Sequence, residues 1–208
     1  MENVISHPFI ERDGAKQDRF LRIRRLCFTL LIICCNSKED AERIVKALEG
    51  RTKRFSLEMN TTKTKVVKFS KREESKGVKQ ETFDYLGFTF YLAPTGRGQI
   101  VPKLETSKKK FRSKLKAVTE WCRANKHKGK LQTIWKIFIS KLRGHIRYYG
   151  VSFNSFRMKE FVLQATKIFF KWMNRRSQRR SMNWEKFNKF MDKFPLPKVI
   201  IHHSLFMK

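Results

Sequence analysis

The run Leu26–Cys35 is unbroken in apolar and strand-forming residues and is closed by Asn36–Ser37, so it predicts a buried strand. Ser37 then stands as a helix N-cap with Asp40 three residues on. Ala41, Ile44, Val45 and Leu48 follow at helical spacing, to Gly50 or a little beyond. Phe55–Leu57 predicts a short extended piece before a turn at Asn60. Lys65–Phe69 and Phe83–Tyr91 alternate as strands do, and the charged residues 70–80 between them predict a loop. Pro94–Gly98 predicts a turn from which Gln99–Val101 returns as a hairpin arm. Residues 1–25, with Pro8, Gly14 and the cluster Arg19, Arg22, Arg24 and Arg25, predict irregular chain.

From Thr106 the period becomes helical. Thr106 or Ser107 caps a helix with Phe111, Leu115, Val118 and Cys122 on one face, and a loop follows from Asn125 to Lys130. A second helix carries Ile134, Phe138, Leu142 and Ile146. A third, over about 156–174, carries Phe161, Ala165, Ile168, Phe169 and Trp172. A fourth holds Trp184, Phe187 and Phe190 or Met191 until Pro195 and Pro197 end it. Aromatic stripes at this spacing are ordinarily core, and most are assigned there. The fold class is α+β, a small sheet followed by a basic helical bundle. Its segments are 1–25, 26–103, 104–194 and a tail, 195–208.

Composition sharpens this. Of 208 residues 40% are hydrophobic and 19 are Phe, enough for a packed core in one or two small domains. The net charge is +30, and it is unevenly spread: residues 1–102 carry +7 and residues 103–208 carry +23, with only 5 acids in the latter. A compact body so charged repels itself unless a polyanion neutralises it, which points to nucleic acid first. A membrane surface is the rival polyanion, ranked last because each helix has neighbours to bury against. The longest apolar run, ten residues, is half of the roughly twenty that a spanning helix needs. The start does not have the pattern of a secretory signal, and Cys27, Cys34, Cys35 and Cys122 form no C-x-x-C pair, so free thiols in the cytoplasm are expected. The five histidines are scattered, and His202–His203 has no carboxylate or Cys near it in sequence to complete a metal site. No nucleophile–base spacing and no Gly-rich phosphate loop stands out, so no catalytic residue and no metal ligand is expected.

Three ordered stretches carry a resemblance. Cys34–Arg43 leading to Lys63-Thr-Lys-Val-Val-Lys-Phe69 resembles the end of the palm in the bacterial group II intron reverse transcriptase/maturase family. Phe83-Asp-Tyr-Leu-Gly-Phe88 resembles its primer-grip segment, and Leu142-Arg-Gly-His-Ile-Arg-Tyr-Tyr-Gly150 resembles the core of its maturase-specific thumb, domain X. The tail Pro195–Leu205 is similar to the end of shorter members. The resemblance covers roughly residues 30–205. It implies a partial palm sheet followed by a thumb bundle, and group II intron RNA or an RNA/DNA duplex as partner. It also implies a primer-grip-like role for Tyr85, Leu86, Gly87 and Phe88. Intact members are RNA-directed DNA polymerases whose Tyr-Ala-Asp-Asp motif holds Mg2+ just before the strand that here ends in Cys35. In this chain those positions read Arg22-Ile-Arg-Arg-Leu-Cys-Phe28, and no acid lies between Arg19 and Lys38. The expectation is an RNA-binding fragment, assisting intron splicing or a decayed remnant, without polymerase activity or cofactor of its own. The alternative is part of a split polymerase that an upstream fragment completes with fingers and palm acids.

The expected RNA contacts are Lys108, Lys109, Lys110, Arg112, Lys114 and Lys116 along one helix, and Lys126, Lys128 and Lys130 in the following loop. Arg143, Arg147 and Tyr148 are expected from the second helix, and Arg175, Arg176, Arg179 and Arg180 from the last connector. Phosphate contacts position without reading sequence, and Arg can also fork onto phosphate oxygens and stack on bases. For Tyr148 and Tyr149 the blander expectation is packing. For Gly144 it is a helix–helix contact, weighed equally against close approach of a partner.

Ile23–Cys27 can be encoded ATA CGC CGA CTT TGT, which one base on reads Tyr-Ala-Asp-Phe-Val, close to the missing motif. Residues 1 to about 30 would then be an out-of-frame start on a decayed intron gene. The gene's nucleotide sequence checks this directly, and absence of such a motif from both other frames removes it.

Overall fold

The computed structural model describes residues 2–8, 10–11, 30–35, 37–60, 64–78, 80–176 and 182–205, with side chains from residue 32 onward. The chain divides into two compact units, Met1–Lys103 and Leu104–Lys208. In the first, β3 (Leu30–Cys35) takes the second half of the apolar run, and residues 26–29 lie outside the described set. The irregular chain expected at the start is corrected: β1 (Glu2–Pro8) is the middle strand of a sheet ordered β3-β1-β5, with β5 at Lys65–Phe69. It runs antiparallel to both neighbours, Val4 lying opposite Cys34 on one side and Val67 on the other. Pro8 falls at the strand end, where its missing N–H interrupts no interior ladder. A two-residue pairing joins β2 (Ile10–Glu11) to β4 (Glu58–Met59).

The helix α1 (Lys38–Arg54) begins as expected, the Ser37 hydroxyl accepting the Asp40 N–H at 3.1 Å and donating to its carboxylate at 2.8 Å. It outlasts Gly50 by a full turn. The Thr52 hydroxyl donates to the Glu49 carbonyl, and Arg51, Lys53 and Arg54 sit at the negative end of the helix dipole. Phe55 and Ser56 are therefore a helix-terminating turn rather than an extended piece, Ser56 at φ 53. The stretch 70–80 is likewise not all loop. Ser70 caps a single helical turn, α2 (Lys71–Glu74), by accepting the Glu73 N–H at 3.3 Å.

The segment Phe83–Tyr91 is a hairpin and not one strand. β6 (Phe83–Tyr85) turns at Leu86 (φ 49) and Gly87 (φ 84) into β7 (Phe88–Pro94), with Tyr85 opposite Phe88. Two successive positive φ values give a primed two-residue turn, which matches the twist of the flanking strands. A second turn leads to β8 (Ile100–Thr106), completing a sheet ordered β6-β7-β8. Val67, Phe69, Phe83 and Leu92 form the core of this unit, with Phe83 stacked parallel on Phe90 at 5.1 Å. The α1 helix buries Ala41 against Cys35.

The second unit is helical: α3 (Lys108–Asn125), α4 (Leu131–Tyr149), α5 (Ser155–Met173), a 3-10 turn at Asn174–Arg176 and α6 (Trp184–Lys193). Ile134, Phe138, Leu142 and Ile146 of α4 are all buried, as their spacing predicts, and so are Phe161, Ala165 and Phe169 of α5. At the centre stands Trp135, 1% exposed, with the rings of Phe138, Phe169, Phe187 and Phe190 within 5.8 Å. Its indole N–H donates to the Phe194 carbonyl at 2.9 Å, as a buried Trp donor must find an acceptor.

Between α4 and α5 the chain turns through Gly150, and the tail crosses there: His202 and His203 N–H groups both donate to the Gly150 carbonyl, at 2.7 and 2.9 Å. A Cβ on Gly150 would lie 2.5 Å from the Ile146 carbonyl oxygen and 2.8 Å from that of Ile200, so only glycine lets the tail approach. Fully buried Asn154 fixes the same turn. Its Oδ1 accepts the Thr106 N–H at 2.8 Å, and its Nδ2 donates to the Tyr149 carbonyl at 2.8 Å and the Thr106 hydroxyl at 2.9 Å. Asn154→Ala strands a buried N–H and a buried carbonyl, which costs about 2–3 kcal/mol. Urea unfolding is expected to show a lower midpoint with an unchanged slope, the mark of lost stability without a change in the surface exposed.

Candidate nucleic-acid interface

All six predicted cations of α3 are exposed. With 3.6 residues per turn they do not form one row. Lys109, Arg112 and Lys116 lie on one flank of the face formed by half-buried Phe111 and Leu115 and buried Cys122, in line with Arg123, and Lys110 and Lys114 lie on the other. On α4, Arg143 and Arg147 share a flank with Lys136, and all three are exposed. Tyr148 is 54% exposed, while Tyr149 is buried at 4%. Packing therefore describes only the second tyrosine. Gly144 is exposed with nothing within 4 Å of a Cβ built on it, so among the described residues it makes no helix contact.

The loop between α3 and α4 and the end of α5 come together. Half-buried Trp172 has the Lys126 ammonium 5.6 Å from its ring centre and the Arg175 guanidinium at 5.4 Å. Arg176 donates to the Gly129 carbonyl, which ties the two segments directly. Lys128 and Lys130 are exposed on the same loop. Five predicted cations thus gather at one end of the bundle. Arg179 and Arg180 lie outside the described residues, as does the segment Arg22–Phe28. The periodicity had put Trp172 in the core. The Arg three residues after it, one helical turn on, is the signal that marks its second role.

Of the acids of this unit two are held in a half-buried cluster and two pair at the surface. Arg157 holds Glu105 and Glu160, each at 3.1 Å, and Gln164 donates to Glu160. Glu120 lies 4.0 Å from Lys116, and Glu185 pairs with Lys189 at 2.8 Å. Helix starts also differ. In the first unit α1 and α2 carry acids in their first turns; in the second α6 carries Glu185, whereas α3, α4 and α5 have none, and α3 opens on Lys108, Lys109 and Lys110. Cations at the positive end of a helix dipole destabilise by a few tenths of a kcal/mol or more each, roughly, unless an anion joins them.

The α5 helix also leaves apolar side chains uncovered. Phe156 is 73% and Leu163 55% exposed, seven residues apart on one face, in line with Phe170, which stacks on Trp184 at 4.1 Å. The expectation that every helix buries its apolar face against a neighbour is corrected here. Beside Phe170, a cleft of about 300 Å3 is lined by Lys171, Asn174 and Arg175.

Tyr85 is half-buried and meets Phe90 edge-on, Phe88 is buried, and Leu86 and Gly87 form the turn itself. Among the described residues no three His, Cys, Asp or Glu side chains gather as metal ligands, and no helix is long and apolar enough to cross a membrane. Cys122 is fully buried, its thiol pushed up to about 12 by desolvation. Set against family models, curated proteins and solved structures, the chain matches none.

His145 adds no cation to the surface. Its ring stacks on Phe161 at 3.7 Å and packs against Tyr149, and desolvation, helped by the charge of Lys114, lowers its pKa from 6.5 to about 4. The unfolded chain therefore takes up this proton first. The stability held at neutral pH is lost as pH falls through about 6.5 toward about 4. His145→Phe keeps a ring on Phe161 without the proton, and urea midpoints between pH 7 and 4.5 are expected to fall less steeply for it than for the parent.

Proposed function

We propose that the chain is an RNA-binding fragment of a group II intron reverse transcriptase/maturase. In this reading the second unit is the thumb and the first the end of the palm. It acts in the cytoplasm on intron RNA, assisting its folding for splicing or retaining the affinity as a remnant. The observation that carries the reading is the placing of Lys126 and Arg175 against the Trp172 ring, with Lys128, Lys130 and Arg176 on the loop and helix end that the Arg176–Gly129 hydrogen bond joins, in a unit whose half-buried carboxylates Glu105 and Glu160 are taken up by Arg157. Such a surface offers fixed cations to a phosphate backbone and an indole edge beside them. The resemblance of Leu142–Gly150 and Phe83–Phe88 to family segments supplies the identity of the RNA.

Binding of the purified chain to a structured intron RNA and to an unrelated RNA of equal length, titrated with salt, tests it. If these five cations each neutralise a phosphate, log affinity falls against log salt with a slope of about −4. Arg175→Gln is expected to reduce that slope by about 1. Preference for the intron RNA supports the maturase reading, and equal affinity for both RNAs leaves only polycation behaviour and removes it.

A further inference from the structure

The cleft at the end of α5 combines three features that phosphate attraction alone does not require. Phe170, stacked on Trp184, forms one wall, and Lys171 and Arg175 supply charge. Asn174 is the third: its Oδ1 is withdrawn from water and makes no hydrogen bond with any described residue. A buried acceptor without a donor is a standing penalty that a ligand can relieve. Asn174 also closes α5, its backbone N–H bonding the Phe170 and Trp172 carbonyls, so its position is fixed while its amide is not engaged. The torsion that turns an Asn amide is broad and soft, so a small rotation presents the oxygen to the cleft.

We infer that this cleft takes one unpaired nucleobase of a bound RNA, its face against Phe170 and its exocyclic amino group donating to Asn174 Oδ1. Lys171 and Arg175 hold the flanking phosphates. The inference rests on the RNA-binding reading and goes further, because it gives the bundle a means of recognising RNA that is not fully paired. Aromatic stacking tolerates any base, and the acceptor favours a base that brings an amino donor. The exposed side chains of Phe156 and Leu163 continue the same face of α5 away from the cleft.

The test uses the whole chain and three RNAs: a perfect duplex, the same duplex with one bulged adenosine, which adds a single nucleotide and charge, and a match to the latter in length and charge with bulged purine riboside, which lacks the amino group. The bulged adenosine is expected to bind roughly fivefold or more tightly than the perfect duplex, with purine riboside between them. Asn174→Ala is expected to abolish the difference between the two bulged RNAs without lowering thermal stability, since it removes an unsatisfied acceptor. Arg175→Gln is expected to weaken all three alike. If the parent chain binds the three RNAs equally, or Asn174→Ala leaves the ratio between the two bulged RNAs unchanged, the inference falls while the RNA-binding reading stands. If the parent binds none of them, both fall.

Discussion

The buried indole of Trp135 is the contact on which the helical unit depends. It belongs to α4, meets Phe169 of α5 and Phe187 and Phe190 of α6, and hydrogen-bonds the carbonyl of Phe194 just past the end of α6. One side chain thus fixes three helices in place. The burden on this core is electrostatic. Residues 103–208 carry a net +23, and a folded state concentrates that charge more than an unfolded one does. Aromatic burial, non-directional and indifferent to salt, offsets a repulsion that ion pairs could not, because the unit has too few acids to make them.

Where those few acids go matters more than their number. Glu105 and Glu160 converge on Arg157, and two others sit beside lysines of their own helices. The half-buried Glu105–Arg157 pair ties the end of β8 to α5, close to where Asn154 holds Thr106. Glu105 and Glu160 therefore act as fasteners of the fold, Glu120 and Glu185 lie exposed beside lysines of their own helices, and the remaining cations outnumber them on the surface. That excess is what a polyanion-binding body needs. Carboxylates mixed among the surface cations would cancel the field that draws a phosphate backbone in.

Periodicity carried the helical unit well. Ile134, Phe138, Leu142 and Ile146, spaced by four, are a core face in any helix, and they are buried as a set. The strand–helix start at Ser37 was equally readable, because a cap is a local interaction. What escaped was decided by contacts distant in sequence or by backbone strain. Leu86 at φ 49 is a poor turn former by composition, so only Gly87 hinted that Phe83–Tyr91 folds back on itself. The place of β1 depends on partners some 30 and 60 residues away, which no local pattern specifies. Trp172 fits the core stripe of α5 in sequence, and only the return of the Lys126–Lys130 loop shows that cations flank it. The open amide of Asn174 has no sequence signal at all, since its significance is a missing partner.

Affinity and discrimination are separate problems for such a surface. Cations set on helices and loops bind phosphates wherever these are found, and paired RNA presents the same backbone whatever its sequence. Adding lysines raises affinity for every competitor together. Selectivity has to come from groups that answer to something other than charge, and here these lie at one end of the bundle: the Trp172 ring, the Phe170–Trp184 stack and the unengaged acceptor of Asn174. An unpaired base reaches such groups and a stacked base pair does not, because its face and its hydrogen-bonding edge are already occupied. Under the proposed function, the cations set how tightly RNA is held, and the aromatic end sets which part of its shape is preferred.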